Sequence, residues 1–167
     1  MRQSAMDGIR VVEFTWVAAG PYSGGLLAML GADVIKIESR HRSDGMRRRP
    51  ATGVEAAADS LDSSLRFSAM NLNKRSVSLD LSKPKGRALA KQLTERADVV
   101  IENFRPGVAK RLGLGYEDLS ANHPELVMAS ISARGQSGPD TKLPGYASIF
   151  AAVGGASHLT GFPGQRP

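Results

Sequence analysis

The sequence predicts an α/β protein built on an open, mostly parallel sheet with helices on both faces, and three observations point there. Short apolar runs of strand length recur along the chain, at residues 10–14, 33–37, 77–79, 99–102 and 126–132. Most are separated by stretches whose apolar residues fall three and four apart, the spacing of one helix face. The links are too long for hairpins and long enough for crossover helices, which is the requirement of parallel neighbours. With 167 residues, 41% of them hydrophobic, the chain is long enough for one packed core.

The first strand reads as residues 10–14, with Val11, Val12 and Phe14 apolar. A turn over 17–21 follows, and Pro21 suits the first position of a helix. Leu26, Leu27 and Leu30 give that helix an apolar face, and Gly31 ends it. Residues 33–37 complete a strand–helix–strand unit. From about 39 to 65 the periodicity disappears into a long variable loop, arginine-rich at its start, with one short helix expected at 54–59. Connections of this length usually carry function or are mobile.

Order returns at Phe67. The polar run Asn71, Leu72, Asn73, Lys74, Arg75 reads as a turn before the strand at 77–79. A long helix is expected to end at Arg96, introduced by Pro84 and Gly86 and carrying Leu89, Leu93 and Ala97 on one face. The strand at 99–102 closes a second strand–helix–strand unit. Short helices at 108–112 and 116–121, a strand at 126–132, a Gly/Pro loop at 135–145 and a small-residue helix at 149–159 complete the pattern. Strands alternating with helices in this way describe a Rossmann-like sheet.

Composition narrows the function. No apolar run is long enough to span a membrane, and the N-terminus lacks a signal-peptide apolar region. The absence of cysteine removes disulfides and thiolate metal sites and fits a cytoplasmic protein. His41, His123 and His158 are too scattered to suggest a metal site. The net charge of +6 raises nucleic acid as a partner, but Arg40, Arg42, Arg47, Arg48 and Arg49 against Asp44 account for +4 of it. With aromatics at 5%, stacking platforms are scarce. A local cationic loop suits a small polyanion better than a duplex, so no nucleic-acid partner is expected.

Common reasons for an α/β sheet are missing. There is no phosphate-binding GxxxxGK[ST], and Gly113-Leu114-Gly115 lacks the third glycine of a dinucleotide fingerprint. Around Ser137, Pro139 stands where a nucleophile elbow needs glycine. What remains is a set of polar strand ends, at which open α/β sheets bind ligands. The first empties into Thr15, Trp16, Val17 and Ala18, and the second into Glu38 and the arginines. The fourth ends in Asn103, Phe104 and Arg105, with Lys110 and Arg111 beyond, and the fifth in Ser132 and Arg134. Cations, an amide, an aromatic face and helix N-terminal N–H groups suit a ligand with an aromatic base and several phosphates.

Several segments, in order, resemble the family III CoA-transferases of the carnitine-CoA and formyl-CoA type. They include Asp7-Gly8-Ile9-Arg10-Val11-Val12-Glu13-Phe14, Ala19-Gly20-Pro21 and Leu30-Gly31-Ala32-Asp33-Val34-Ile35-Lys36-Ile37-Glu38. Asn73-Lys74-Arg75-Ser76-Val77, Glu102-Asn103-Phe104-Arg105-Pro106-Gly107 and Arg111-Leu112-Gly113 continue the likeness.

The resemblance implies that coenzyme A or acyl-CoA binds as a substrate, with no prosthetic group and no metal. It points to Val17, Ala18 and Ala19 near the thioester and to Arg40 near the nucleotide phosphates. Leu79, Asp80, Leu81, Asn103, Phe104, Arg105 and Arg111 lie alongside, and Tyr146 lines the reacting centre. It implies CoA exchange with a carboxylic acid through an Asp nucleophile, as a mixed anhydride and then an aspartyl-CoA thioester. None of Asp98, Asp118 or Asp140 matches that nucleophile, which is expected beyond Pro167.

On this reading residues 1–167 are the N-terminal part of a large CoA-binding domain in a protein more than twice as long. The small domain and the returning C-terminal segment are absent, and the isolated chain is inactive. The whole protein is expected to form an interlocked homodimer. Two departures bear on the acid substrate: Ala18, where some relatives have Gln, and Ala147, where many have an acidic residue. An α-methylacyl-CoA racemase shares this fold but needs a His beside the Gly145-Tyr146 position, where this chain has Ala147. A chain that only binds CoA is the further alternative.

Overall fold

A computed structural model of the protein describes residues 4–48, 62, 64–162 and 164–165. Five strands form the sheet: β1 (Arg10–Phe14), β2 (Asp33–Glu38), β3 (Arg75–Ser78), β4 (Val99–Glu102) and β5 (Val127–Ser130). Eight helices are described: α1 (Ala19–Met29), α2 (Gly45–Arg48), α3 (Leu65–Met70), α4 (Pro84–Thr94), α5 (Val108–Arg111), α6 (Tyr116–Ser120), α7 (Ala147–Val153) and α8 (Ala156–Leu159). The strand order is β3-β2-β1-β4-β5 and every pairing is parallel. The predicted fold class is therefore the observed one, and all five carboxyl ends lie along a single edge.

Alternation along the strands divides the core. Val12, Phe14, Ile35, Ile37 and Val100 face α4, α5 and α6, where Ala90, Ala97, Leu114 and Leu119 meet them. Val11, Val34 and Ile101 face the other way, with Ala28 and Ala32. Strands covered on both faces read as nearly continuous apolar runs, which is why they were visible in the sequence.

The α1 face differs from its expected form. The residues of α1 that are buried are Gly20, Pro21, Gly24 and Ala28, whereas Leu26 and Leu30 are exposed. Small residues let the helix approach the sheet closely: a Cβ on Gly24 would stand 1.8 Å from Glu13 Oε2. The helix also starts at Ala19, two residues before Pro21. In α4 the buried residues are Gly86, Ala90 and Thr94, and Leu89 is half-exposed.

The long connection is more structured than its composition suggests, since α2 and α3 were not expected. Ser64 joins them. Its hydroxyl accepts from Phe67 N at 3.3 Å, capping α3, and donates to Met46 O at 2.8 Å. The short helix expected at 54–59 lies outside the described residues. The final helix is two, because Gly155 at φ +80° interrupts it. Among the described residues no helix is long and apolar enough to cross a membrane.

Candidate functional site

β1 is the centre of the sheet. The chain leaves it on one side through β2 and β3, then crosses to the other side through β4 and β5. That reversal falls between β1 and β4, and it is at the carboxyl ends of such a pair that doubly wound sheets hold ligands. The first residue beyond β4, Asn103, bridges the two ends. Its Oδ1 accepts from Trp16 N at 2.8 Å and its Nδ2 donates to Trp16 O at 2.8 Å. The Arg42 guanidinium lies 5.0 Å from the centre of the Trp16 ring, at cation–π range.

The next residue is strained. Val17 has φ +68°, a left-handed conformation that a β-branched side chain rarely adopts and that costs on the order of 1–3 kcal/mol. Its N–H donates to Asp44 Oδ1 at 3.0 Å, and the same oxygen accepts from Met46 N at 2.9 Å. One residue earlier than Trp16, the Thr15 carbonyl accepts from Lys36 Nζ at 2.6 Å. The turn that leads into α1 is thus held at three successive residues by side chains from three other segments.

Beneath the turn lies a buried charge cluster. Glu13 and Lys36 are opposite one another in the β1–β2 register, with side chains 0% and 2% exposed and Oε1 3.7 Å from Nζ. Lys36 Nζ is also 3.4 Å from Asp44 Oδ2. Lys74 Nζ reaches the same Glu13 oxygen at 2.8 Å, and donates to Pro21 O at 2.6 Å and Asn71 Oδ1 at 3.0 Å. Two carboxylates thereby balance two ammonium groups, as charges without water require. Burial pulls the Lys74 ammonium below the usual lysine range, with Glu13 opposing it. On the rim, Glu38 Oε1 takes a 2.7 Å bond from Arg47 Nε, and Glu38 Oε2 accepts from Asp44 N at 3.0 Å. Arg47 lies 3.4 Å over the Phe67 ring.

Because the sheet is all-parallel, most of the residues expected at a binding site fall on one edge. Val17, Ala18 and Ala19 form the turn into α1, whose N-terminus no side chain caps. Arg40 is exposed just past β2, Arg105 is exposed just past β4, and exposed Arg111 ends α5. Five expected residues have structural work. The Asn103 amide is engaged on Trp16, and the Phe104 ring packs on the core, 6.5 Å from Phe14. Leu79 and Leu81 also pack on that core. Between them, Asp80 Oδ1 accepts from Ser82 N at 2.9 Å, and its bonds to Ser82 hold the carboxyl below the usual range.

Tyr146 is exposed at the start of α7, and Gly145 before it packs on Ala133 beyond β5. A concavity lies elsewhere. It measures about 690 Å³ between β3 and α4, is lined by Val77, Leu79, Leu89 and Leu93 among others, and holds only Leu79 of the expected residues. Among the described residues there is no group of three or more metal-ligating side chains.

Comparison with known proteins matches residues 6–167 to the profile of CoA-transferase family III. The chain belongs to this family. Family III relatives include the succinyl-CoA–D-citramalate CoA-transferase of Chloroflexus aurantiacus, 40% identical over 97% of this chain and 39% of its own length. The succinate–glutarate CoA-transferase of Agrobacterium fabrum is 42% identical over 99% of the chain and 42% of its own length. Among solved structures, a CaiB/BaiF family protein from Brucella suis superposes with a TM-score of 0.86 at 40% identity, over 99% of this chain and 43% of that one. The chain therefore spans about two fifths of the length of the family III proteins it matches.

Within this family III chain, sequence reasoning passed over Glu13, Lys36 and Asp44. A signal was present for two of them. β1 and β2 each carry a charge at the fourth residue, flanked by apolar residues of a parallel strand, where an unpaired charge is prohibitive. Nothing local marked Asp44 as a support of the turn, because Val17, which it holds, is 27 residues away.

Proposed function

We propose that this chain carries the coenzyme A site of an enzyme that moves CoA between an acyl-CoA and a carboxylic acid. The observation that carries the proposal is the set of polar and cationic residues at the carboxyl edge where the strand order reverses. There Asn103 ties the β4 loop to the turn at Trp16, with Arg40, Arg105 and Arg111 along the same edge. Three cations provide for the phosphates of CoA. The uncapped N-terminus of α1 offers main-chain N–H groups to the thioester end. Asn103 acts by holding Trp16, and Phe104 supports the loop from below.

The chemistry that fits is carboxylate nucleophilic catalysis. An aspartate attacks the acyl-CoA carbonyl, forming a mixed anhydride and expelling CoA thiolate. The thiolate attacks the aspartyl carbonyl and releases the donor acid, which leaves an aspartyl-CoA thioester. The acceptor carboxylate attacks that thioester, and the same two steps in reverse give the new acyl-CoA. On this reading the aspartate lies outside residues 1–167, so the chain alone binds CoA without turnover.

The names of the two curated relatives pair succinyl-CoA with D-citramalate and succinate with glutarate, which supports a carboxylic acid as the acceptor. Ala18 and Ala147 are the positions where this choice is set. We assign the whole protein to the cytoplasm, in keeping with the absence of cysteine from these 167 residues, and to an interlocked homodimer. Neither a prosthetic group nor a metal is needed.

Calorimetric titration of the chain with CoA tests the proposal. Arg111→Ala and Asn103→Ala are each expected to weaken binding roughly tenfold, about 1.4 kcal/mol. Unchanged affinity in both removes the site. CoA release from an acyl-CoA by the chain alone would overturn the placement of the nucleophile.

A further inference from the structure

We propose that Asp44 is a positioning residue, which sets the turn at Trp16–Val17 by accepting the Val17 N–H. This rests on the assignment of the CoA site to that turn. Val17 is held at φ +68°, and a free turn would relax to negative φ and re-aim both Trp16 and the start of α1. What opposes relaxation is a carboxylate that is 0% exposed, with Oδ1 3.0 Å from Val17 N and 2.9 Å from Met46 N. The second oxygen, Oδ2, has no hydrogen-bond donor among the described residues and lies 3.4 Å from the Lys36 ammonium. Lys36 in turn donates to Thr15 O at 2.6 Å. Lysine and aspartate therefore grip the turn on both sides of Trp16.

The hydrogen-bonded oxygen of this buried carboxylate serves its own loop and this turn, while the other faces the Lys36 ammonium, so Asp44 ties the two segments together. Neighbouring contacts agree. Asp44 N is fixed by Glu38 Oε2 at 3.0 Å, so the acceptor itself stands on β2 through that bond. Gly45, the next residue, presents no side chain to Val17, whose Cγ2 would be 3.8 Å from a Cβ there. The strain at Val17 is thus offset by a charge-assisted hydrogen bond from a second, rigidly anchored segment. Pre-organisation of a binding turn by such supports is a recurrent way to hold a ligand without ordering cost at the moment of binding.

The test uses the single tryptophan. Trp16 emission and its quenching by acrylamide report the order of the turn, and calorimetry with CoA reports the site. Asp44→Ala is expected to raise the quenching constant and weaken CoA binding roughly tenfold, the share of one charge-assisted bond. Asp44→Asn keeps an oxygen for both N–H groups and is expected to restore most of both readouts. Val17→Gly in the Asp44→Ala background is expected to restore them too, since glycine holds a left-handed turn without help.

Where Asp44→Ala does not fold by circular dichroism, the Asn variant and the double variant carry the test. A folded double variant with wild-type quenching supports the proposal, and one that stays unfolded overturns it. Wild-type quenching in folded Asp44→Ala overturns it, as does an Asn variant as impaired as Ala with no recovery from Val17→Gly. If quenching follows the expected order while the unaltered chain binds no CoA, the positioning role stands and the CoA assignment fails.

Discussion

The side-chain amide of Asn103 closes two 2.8 Å hydrogen bonds with the main chain of Trp16, accepting from its N–H and donating to its carbonyl. The pair joins residues 87 apart across the only point in the sheet where the strand order reverses. An asparagine is well suited to this, since its one acceptor and two donors match a peptide group.

Replacing Asn103 by alanine is expected to destabilise the chain by about 1–3 kcal/mol, the scale for half-buried main-chain groups losing their partners. Urea denaturation followed at Trp16 measures it. A loss below a few tenths would mean that water replaces the amide at no cost, and the bridge would then have no structural weight.

Lys74 and Glu13 form a pair that cannot be broken from one side. Lys74→Met leaves Glu13 0% exposed with only Lys36 at 3.7 Å, and a cost of about 3–5 kcal/mol is expected. Lys74→Met combined with Glu13→Gln removes both charges and is expected to cost less than the single lysine change. Chemical denaturation of the three chains decides, and additive losses would show that the two groups do not depend on each other.

Gly24 is where α1 lies against the charge cluster. Gly24→Ala drives a methyl toward Glu13 Oε2, 1.8 Å from the added carbon, and a loss of about 1–3 kcal/mol or more is expected from overpacking. Gly45→Ala is the control, since its nearest contact is Val17 Cγ2 at 3.8 Å. The control is expected to keep its melting temperature.

Asp33 gives the acid limb of stability a defined sign. Burial raises its pKa, but hydrogen bonds from Arg75 and Arg10, with their charges, outweigh this and leave it below the usual aspartate range. A folded pKa below the unfolded value of about 3.9 means the contribution is present above that pH and lost as pH falls through the folded value. The melting-temperature gap between the wild type and Asp33→Asn is therefore expected to be constant above about pH 5 and to close below about pH 4. The carboxylate is about one-third exposed, so the gap itself is small. A gap that widened on acidification would contradict the assignment.

Much of this protein was legible from its residues. The central strands were, because burial on both faces leaves nearly unbroken apolar runs at 10–14, 33–38 and 99–102. The site edge was legible too, because in an all-parallel sheet every polar strand end must lie on the same side. The face of α1 was misread in part: of the three leucines the spacing marked, Leu27 packs on the core while Leu26 and Leu30 are exposed, and glycines touch the sheet. Small residues carry no periodic signal of their own, and they become informative only when the opposing surface, here Glu13, is known.

The fold class, the polar strand ends and the family likeness were within reach of local pattern and motif, because each depends on residues close together in the chain. The order of the strands and the polar groups that brace their ends were not. Asn103 had the composition of a ligand contact and spends its amide on Trp16; Asp44 stood in an arginine-rich loop and holds Val17 from 27 residues away. Hydrogen bonds between distant segments leave no periodic trace, and a side chain's partner is chosen only when folding has removed the water that would otherwise serve.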